Sequence, residues 1–259
     1  MKNLFTLLLG TISLLACSPE ISQENASPEG DWRHHGGNHN SDKYAPLDQI
    51  DGSNFSELEL AWRYRSPDLD LPEDLAYPTG DYRAVPLVVD GIMYVNSNHG
   101  LISALNSATG EELWVFDPKS YELGPPLFSP LQTRGIEYWT DGEIERIFIA
   151  TSGKQLVSVD IKTGQPDPNF GDDGYVDLKQ NFGRLEFEMN NITHGAPPIA
   201  VGSTVIVGSK IYDFSMFNRS PPGHVRAYDA YTGDFKWRFN TIPQEGEYGN
   251  ETWENDSWR

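Results

Sequence analysis

Hydrophobic positions along this chain fall into two unlike patterns. Residues 4–15 form a nearly continuous apolar run behind Lys2, too short to span a bilayer comfortably and of the length of a signal-peptide core. A polar stretch rich in Ser, Glu and Pro follows over 18–30, without periodicity, and reads as a flexible tether. Beyond it the apolar residues come in short runs divided by turn residues. Residues 87–89 and 92–95 flank Asp90-Gly91, and residues 199–201 and 204–207 flank Gly202-Ser203. β-branched runs on either side of such dipeptides predict tight hairpins.

A repeat follows each hairpin. Ala104-Leu105-Asn106-x-x-Thr109-Gly110-x-x-x-Trp114 matches Ala227-Tyr228-Asp229-x-x-Thr232-Gly233-x-x-x-Trp237 position for position. A degenerate copy between them, Ser158-Val159-Asp160-x-x-Thr163-Gly164, has Pro168 where the Trp would stand. In this middle copy residues 146–150 and 156–160 take the places of the hairpin strands. Four short antiparallel strands per copy predict the blades of a β-propeller. In Trp114-Val115-Phe116 and Trp237-Arg238-Phe239 the aromatics lie two apart, hence on one face of an outer strand, where they can be buried between blades. Trp62-Arg63-Tyr64 repeats that pattern with no hairpin of its own, as expected of a strand that closes a propeller ring.

Composition narrows the chemistry. Lys and Arg number 19 against 38 Asp and Glu, a formal charge of −19, so the phosphate attraction behind nucleic-acid binding is missing. Cys17 is the single cysteine among 259 residues, which excludes an intrachain disulfide and a thiolate metal cluster. Leu14-Leu15-Ala16-Cys17 resembles the bacterial lipobox, in which the chain is cut before an acylated cysteine. Residues 1–16 are therefore expected to be a lipoprotein signal peptide and 17–30 a tether. The expected location is the periplasm, with the protein lipid-anchored to a membrane and Ser18 favouring the outer one. His34, His35 and His39 lie in a Gly-rich segment, and their spacing matches no zinc pattern.

The repeat resembles the tryptophan-docking motif of quinoprotein dehydrogenases, whose eight-bladed propellers hold pyrroloquinoline quinone (PQQ) on the central axis. Further stretches resemble the membrane-associated glucose dehydrogenase branch. They are Gly36-Gly37 with 44–50, Thr133-Arg134-Gly135-Ile136, Asn169-Phe170-Gly171 with 174–178, Pro221-Pro222-Gly223-His224-Val225-Arg226, and the run 249–258. The resemblance implies an all-β, eight-bladed quinoprotein propeller, of which 31–259 would be the N-terminal part, about three blades with the closing strand. It implies oxidation of an alcohol or aldose by hydride transfer to PQQ, with a quinone or cytochrome c as electron acceptor, and a catalytic aspartate outside this stretch.

Carried over residue by residue, Arg134 falls in the Arg-Gly pair that contacts the cofactor in relatives, and a guanidinium suits a carboxylate because it binds in bidentate fashion and stays charged. The alternative for Arg134 is a surface pairing with Glu143 or Glu145. Pro130-Leu131-Gln132 precedes it where methanol dehydrogenases have vicinal cysteines. Thr193 and Ser209 occupy positions whose hydroxyls would bond PQQ oxygens, and Arg83 stands where relatives often carry Glu or Gln. Asp213, in the long connection 209–223, falls near the acidic residue that helps hold Ca²⁺ or Mg²⁺. The competing assignment is a non-enzymatic outer-membrane propeller scaffold that shares the lipobox and the repeat.

Overall fold

The computed structural model describes residues 30–75, 77, 79, 81–124, 133–183, 193–210 and 221–258. Twelve strands there form three four-stranded antiparallel sheets, each a meander in chain order. The first blade comprises β1 (Leu87–Val89), β2 (Ile92–Asn96), β3 (Ile102–Asn106) and β4 (Glu112–Phe116). The second comprises β5 (Glu137–Thr140), β6 (Glu145–Ala150), β7 (Gln155–Asp160) and β8 (Tyr175–Asp177). The third comprises β9 (Ile199–Val201), β10 (Thr204–Gly208), β11 (Val225–Asp229) and β12 (Phe235–Phe239). The only helices among the described residues are single 3₁₀ turns, and none is long and apolar enough to cross a membrane.

The middle copy departs from its expected register. Residues 146–150 and 156–160 are the second and third strands of their blade, and the first is Glu137–Thr140. Its hairpin closes over Asp141 to Ile144, where Asp141 Oδ1 accepts from the backbone N–H groups of Glu143 and Ile144. A four-residue charged turn hides the two-residue hairpin signal that marks the other copies.

Side-chain alternation in the second blade builds the core on both of its faces. Tyr138, Ile147, Ile149, Val157 and Val159 pack with Leu87, Tyr94, Ile102 and Phe116 of the first blade. Trp139, Phe148, Ala150 and Leu156, displaced by one position, pack with Ala200, Val205, Val207 and Tyr228 of the third. Such a blade is apolar on both faces because a two-residue period sends neighbouring side chains to opposite sides. Arg146 crosses the second junction, where it pairs with Asp167, donates to the carbonyls of Ala230 and Tyr231, and lies over the Trp139 ring.

The repeat now has a physical cause. Its Asn or Asp caps the turn after the third strand: Asn106 Oδ1 accepts from Ala108 and Thr109, Asp160 Oδ1 from Lys162 and Thr163, and Asp229 Oδ1 from Tyr231 and Thr232. Glycine follows because the chain must then adopt positive φ, +72° at Gly110 and +67° at Gly164. It also leaves room for a tryptophan. A Cβ on Gly110 would lie 2.6 Å from the Trp62 ring, and one on Gly164 would lie 2.5 Å from the Trp114 ring. Each indole N–H donates to a carbonyl of the same turn, Trp62 to Ser107 and Trp114 to Ile161. Each tryptophan thus docks on the turn of the following blade.

The copy without a tryptophan solves the junction differently. The space beneath Gly233 is filled by the Val176 side chain and the Gly171 backbone, whose N–H donates to Thr232. The segment around Trp62 forms no sheet pairing among the described residues, and it lies against the first blade through Trp62 and through Tyr64, whose hydroxyl reaches Ser103 and Glu112. On the far side Trp237 and Phe239 are 43% and 61% exposed.

Candidate functional site

Three connections converge at one end of the second and third blades. Arg134 lies just before β5, Thr193 before β9, and Ser209 just after β10. Backbone bonds tie them together: the Arg134 N–H donates to the Gly195 carbonyl, and the Lys210 N–H to the Thr193 carbonyl. They border a cavity of about 250 Å³ lined by Arg134, Gly195, Ala196, Gly208, Ser209 and Lys210. In a chain of net charge −19 the described residues of this lining include two cations and no carboxylate. A Cβ on Gly208 would meet open space, so the backbone there is bare toward the cavity.

The walls behind it are polar and buried. Arg226, fully buried on β11, donates to the carbonyls of Leu178 and Gln180, stacks its guanidinium 4.0 Å from the centre of the Phe182 ring, and reaches Ser209 Oγ at 3.4 Å. Burial lowers its pKa, yet an arginine remains a cation at any working pH. Thr193 Oγ1 is buried and has no hydrogen-bond partner. An orphaned hydroxyl beside a cation-lined cavity is suited to an oxygen-rich anionic ligand, because an unsatisfied buried polar atom costs about 1 to 3 kcal/mol.

His194 adjoins this wall. Its Nδ1 lies 2.8 Å from the Gly208 carbonyl, which can only accept, so the proton sits on Nδ1; Nε2 is buried without a partner. Burial first, and then the Arg226 charge, push its pKa down from 6.5 to about 4. The neutral imidazole is therefore the folded form. Between about pH 6.5 and pH 4 the unfolded chain binds a proton at His194 that the folded chain refuses, so stability falls as pH is lowered through that window. A His194→Asn variant of the complete protein should unfold with a pH dependence shallower by up to one proton there, about 1.4 kcal/mol per pH unit. Parallel profiles of melting midpoint against pH for the two proteins would remove His194 from the titration.

Of the residues marked in the sequence, Arg134 and Ser209 line the cavity and Thr193 is tied to it through Lys210. Arg134 pairs with neither Glu143 nor Glu145; Glu145 instead accepts from Tyr138 and pairs with Lys162. Arg83 is not brought to the cavity: it is half-exposed and pairs with Asp81. Asp213 and Cys17 lie outside the described residues. Lys210 and Arg226 carry no local signal that would mark them as parts of this site, since a cation turned toward a pocket is spelled like one turned toward water. Arg226 does fall within the distinctive run 221–226.

Residues 32–259 match the family model described as PQQ, glucose/ethanol/alcohol dehydrogenase, β-propeller domain. The chain belongs to that family. It is 32% identical over 223 residues to the dehydrogenase subunit of a quinone-type alcohol dehydrogenase of Gluconobacter oxydans, covering 86% of this chain and 26% of that protein. It is 29% identical over 245 residues to quinoprotein glucose dehydrogenase A of Acinetobacter calcoaceticus, covering 86% of this chain and 30% of that protein. Among solved structures, the quinohemoprotein alcohol dehydrogenase of Comamonas testosteroni superposes with a TM-score of 0.63 at 26% identity, over 83% of this chain and 28% of that one. The chain therefore spans between a quarter and a third of the length of these relatives.

Proposed function

We propose that the complete protein is a PQQ-dependent dehydrogenase of alcohols or aldoses, and that this chain forms one side of its cofactor cradle within an eight-bladed propeller. The observation that carries the reading is the cavity at Arg134, Gly208, Ser209 and Lys210, cationic in an otherwise acidic chain. PQQ is a planar quinone carrying carboxylates, and its donor and acceptor needs fit this lining. When bound it supplies a carbonyl that accepts hydride from the carbinol carbon of the substrate. Arg134 holds a carboxylate through its planar fork, Lys210 adds charge, and the Ser209 and Thr193 hydroxyls donate to oxygens. Arg226 positions the Ser209 hydroxyl from behind. In this reading the general base is an aspartate and the electron acceptor a quinone or cytochrome c, and neither is assigned to a residue of this chain.

A hard cation, Ca²⁺ or Mg²⁺, prefers several oxygen ligands. The described lining offers no carboxylate and does not fit one by itself; Asp213 is the residue we assign to it. The whole reading is tested by adding PQQ and Ca²⁺ to the complete protein and following dye reduction with aldoses and primary alcohols. Saturable, PQQ-dependent reduction is expected. Absence of PQQ binding would favour the scaffold assignment.

We also assign Cys17 as an acylated anchor that holds the protein to a membrane facing the periplasm, on the strength of Leu14-Leu15-Ala16-Cys17. Cells fed a palmitate analogue should label the wild type and not Cys17→Ser, and equal labelling would refute it.

A further inference from the structure

We propose that His34, His39 and Glu137 form a site for a divalent transition-metal ion of the Zn²⁺ class, which pins the N-terminal segment to the second blade. One ligating atom from each of the three side chains lies within 4.8 Å of the other two. His34 Nδ1 is 3.0 Å from Glu137 Oε1, and the two imidazole ring centres are 3.9 Å apart. On a tetrahedral ion with bonds of about 2.0 to 2.2 Å, ligand atoms sit roughly 3.3 to 3.6 Å apart. The three groups therefore need to move by no more than about an ångström, the ion taking the place of the hydrogen between His34 and Glu137.

The surroundings hold the ligands ready. Glu137 is buried at the start of β5, and its Oε1 accepts from the backbone N–H of Ala200 on β9, which fixes the carboxylate. The two histidines stand on a closed loop. The Gly37 N–H donates to the His34 carbonyl, the Lys43 N–H to the Gly36 carbonyl, and Asn38 Oδ1 accepts from Asn40 and Asp42. The loop is tight enough that a Cβ on Gly36 would lie 2.7 Å from the Ser41 backbone. Upstream, Trp32 exchanges both backbone bonds with Val88 of the first blade. An ion here would join three blades: the loop rooted on the first, Glu137 of the second, and the Ala200 N–H of the third.

Ligand chemistry selects the metal. Two imidazoles and one carboxylate suit Zn²⁺ and its transition-metal neighbours, whereas Ca²⁺ and Mg²⁺ take all-oxygen sets. This separates the site from any ion held with the cofactor, and it does not depend on the proposed activity. Metal-stripped complete protein, kept in excess Ca²⁺, should bind one Zn²⁺ per chain in equilibrium dialysis, with a rise in melting temperature. His39 is exposed, so His39→Ala should fold normally and lose at least about tenfold in Zn²⁺ affinity together with that rise. Glu137→Gln, which keeps the shape and the Ala200 contact, should do the same. No bound Zn²⁺ in the wild type, or wild-type affinity retained in both variants, would overturn the proposal.

Discussion

If the complete protein holds PQQ as proposed, replacing Arg134 with alanine is expected to weaken PQQ binding by about 30-fold to several thousand-fold. The cavity contains two side-chain cations, Arg134 and Lys210, both exposed in this segment; covered by cofactor inside the complete propeller, such a pair would be desolvated, and truncating one partner of a desolvated charge pair costs about 2 to 5 kcal/mol, at 1.4 kcal/mol per decade of affinity. Lys210 remains in the variant, which places the expected loss nearer the lower end of that range. Arg134→Lys should recover part of the affinity and not all of it, because an ammonium keeps the charge but lacks the planar fork. Substrate affinity at saturating cofactor should change little. Titrating apo-protein with PQQ and following activity reads the effect, and an unchanged midpoint in Arg134→Ala would detach Arg134 from the cofactor.

The second large effect lies in the blade junction. Gly164→Val should destabilise the protein by about 2 to 6 kcal/mol, the sum of two costs. One is a β-branched residue at φ +67°, worth about 1 to 3 kcal/mol. The other is overpacking against the Trp114 ring, 2.5 Å from the new Cβ, worth about 1 to 3 kcal/mol. Gly142 separates the two, since it has φ +97° and nothing within 4 Å of an added Cβ. Gly142→Val should incur only the first cost. Equal drops in melting temperature for both variants would show that the indole does not seal this junction.

Local chemistry explains which features were legible in the sequence. The Asn/Asp-x-x-Thr-Gly turn is encoded within five residues, its carboxylate or amide capping the turn and its glycine taking positive φ, so all three copies could be placed by inspection. The tryptophan four residues on was legible for the same reason. β5 was not, because its turn is four residues long and charged. Nor was the junction at Gly233, where Val176 and the Gly171 backbone stand in for a ring that the middle copy lacks. Of the site, Arg134, Thr193 and Ser209 came from likeness to a family; Arg134 and Ser209 line one cavity, Thr193 is joined to it through the Lys210 backbone, and Arg83 lies elsewhere. Lys210, Arg226 and the meeting of His34 and His39 with Glu137 depend on contacts between residues far apart in the chain, which no local spacing records.

If this propeller segment presents a cation-lined cradle to PQQ, as proposed, a structure of the complete protein loaded with PQQ will show the contacts. A cofactor carboxylate is expected within about 2.7 to 3.2 Å of the Arg134 guanidinium, with the Ser209 hydroxyl in reach of a cofactor oxygen. A bound cofactor that touches neither residue, or a protein that takes up no PQQ at all, would contradict it.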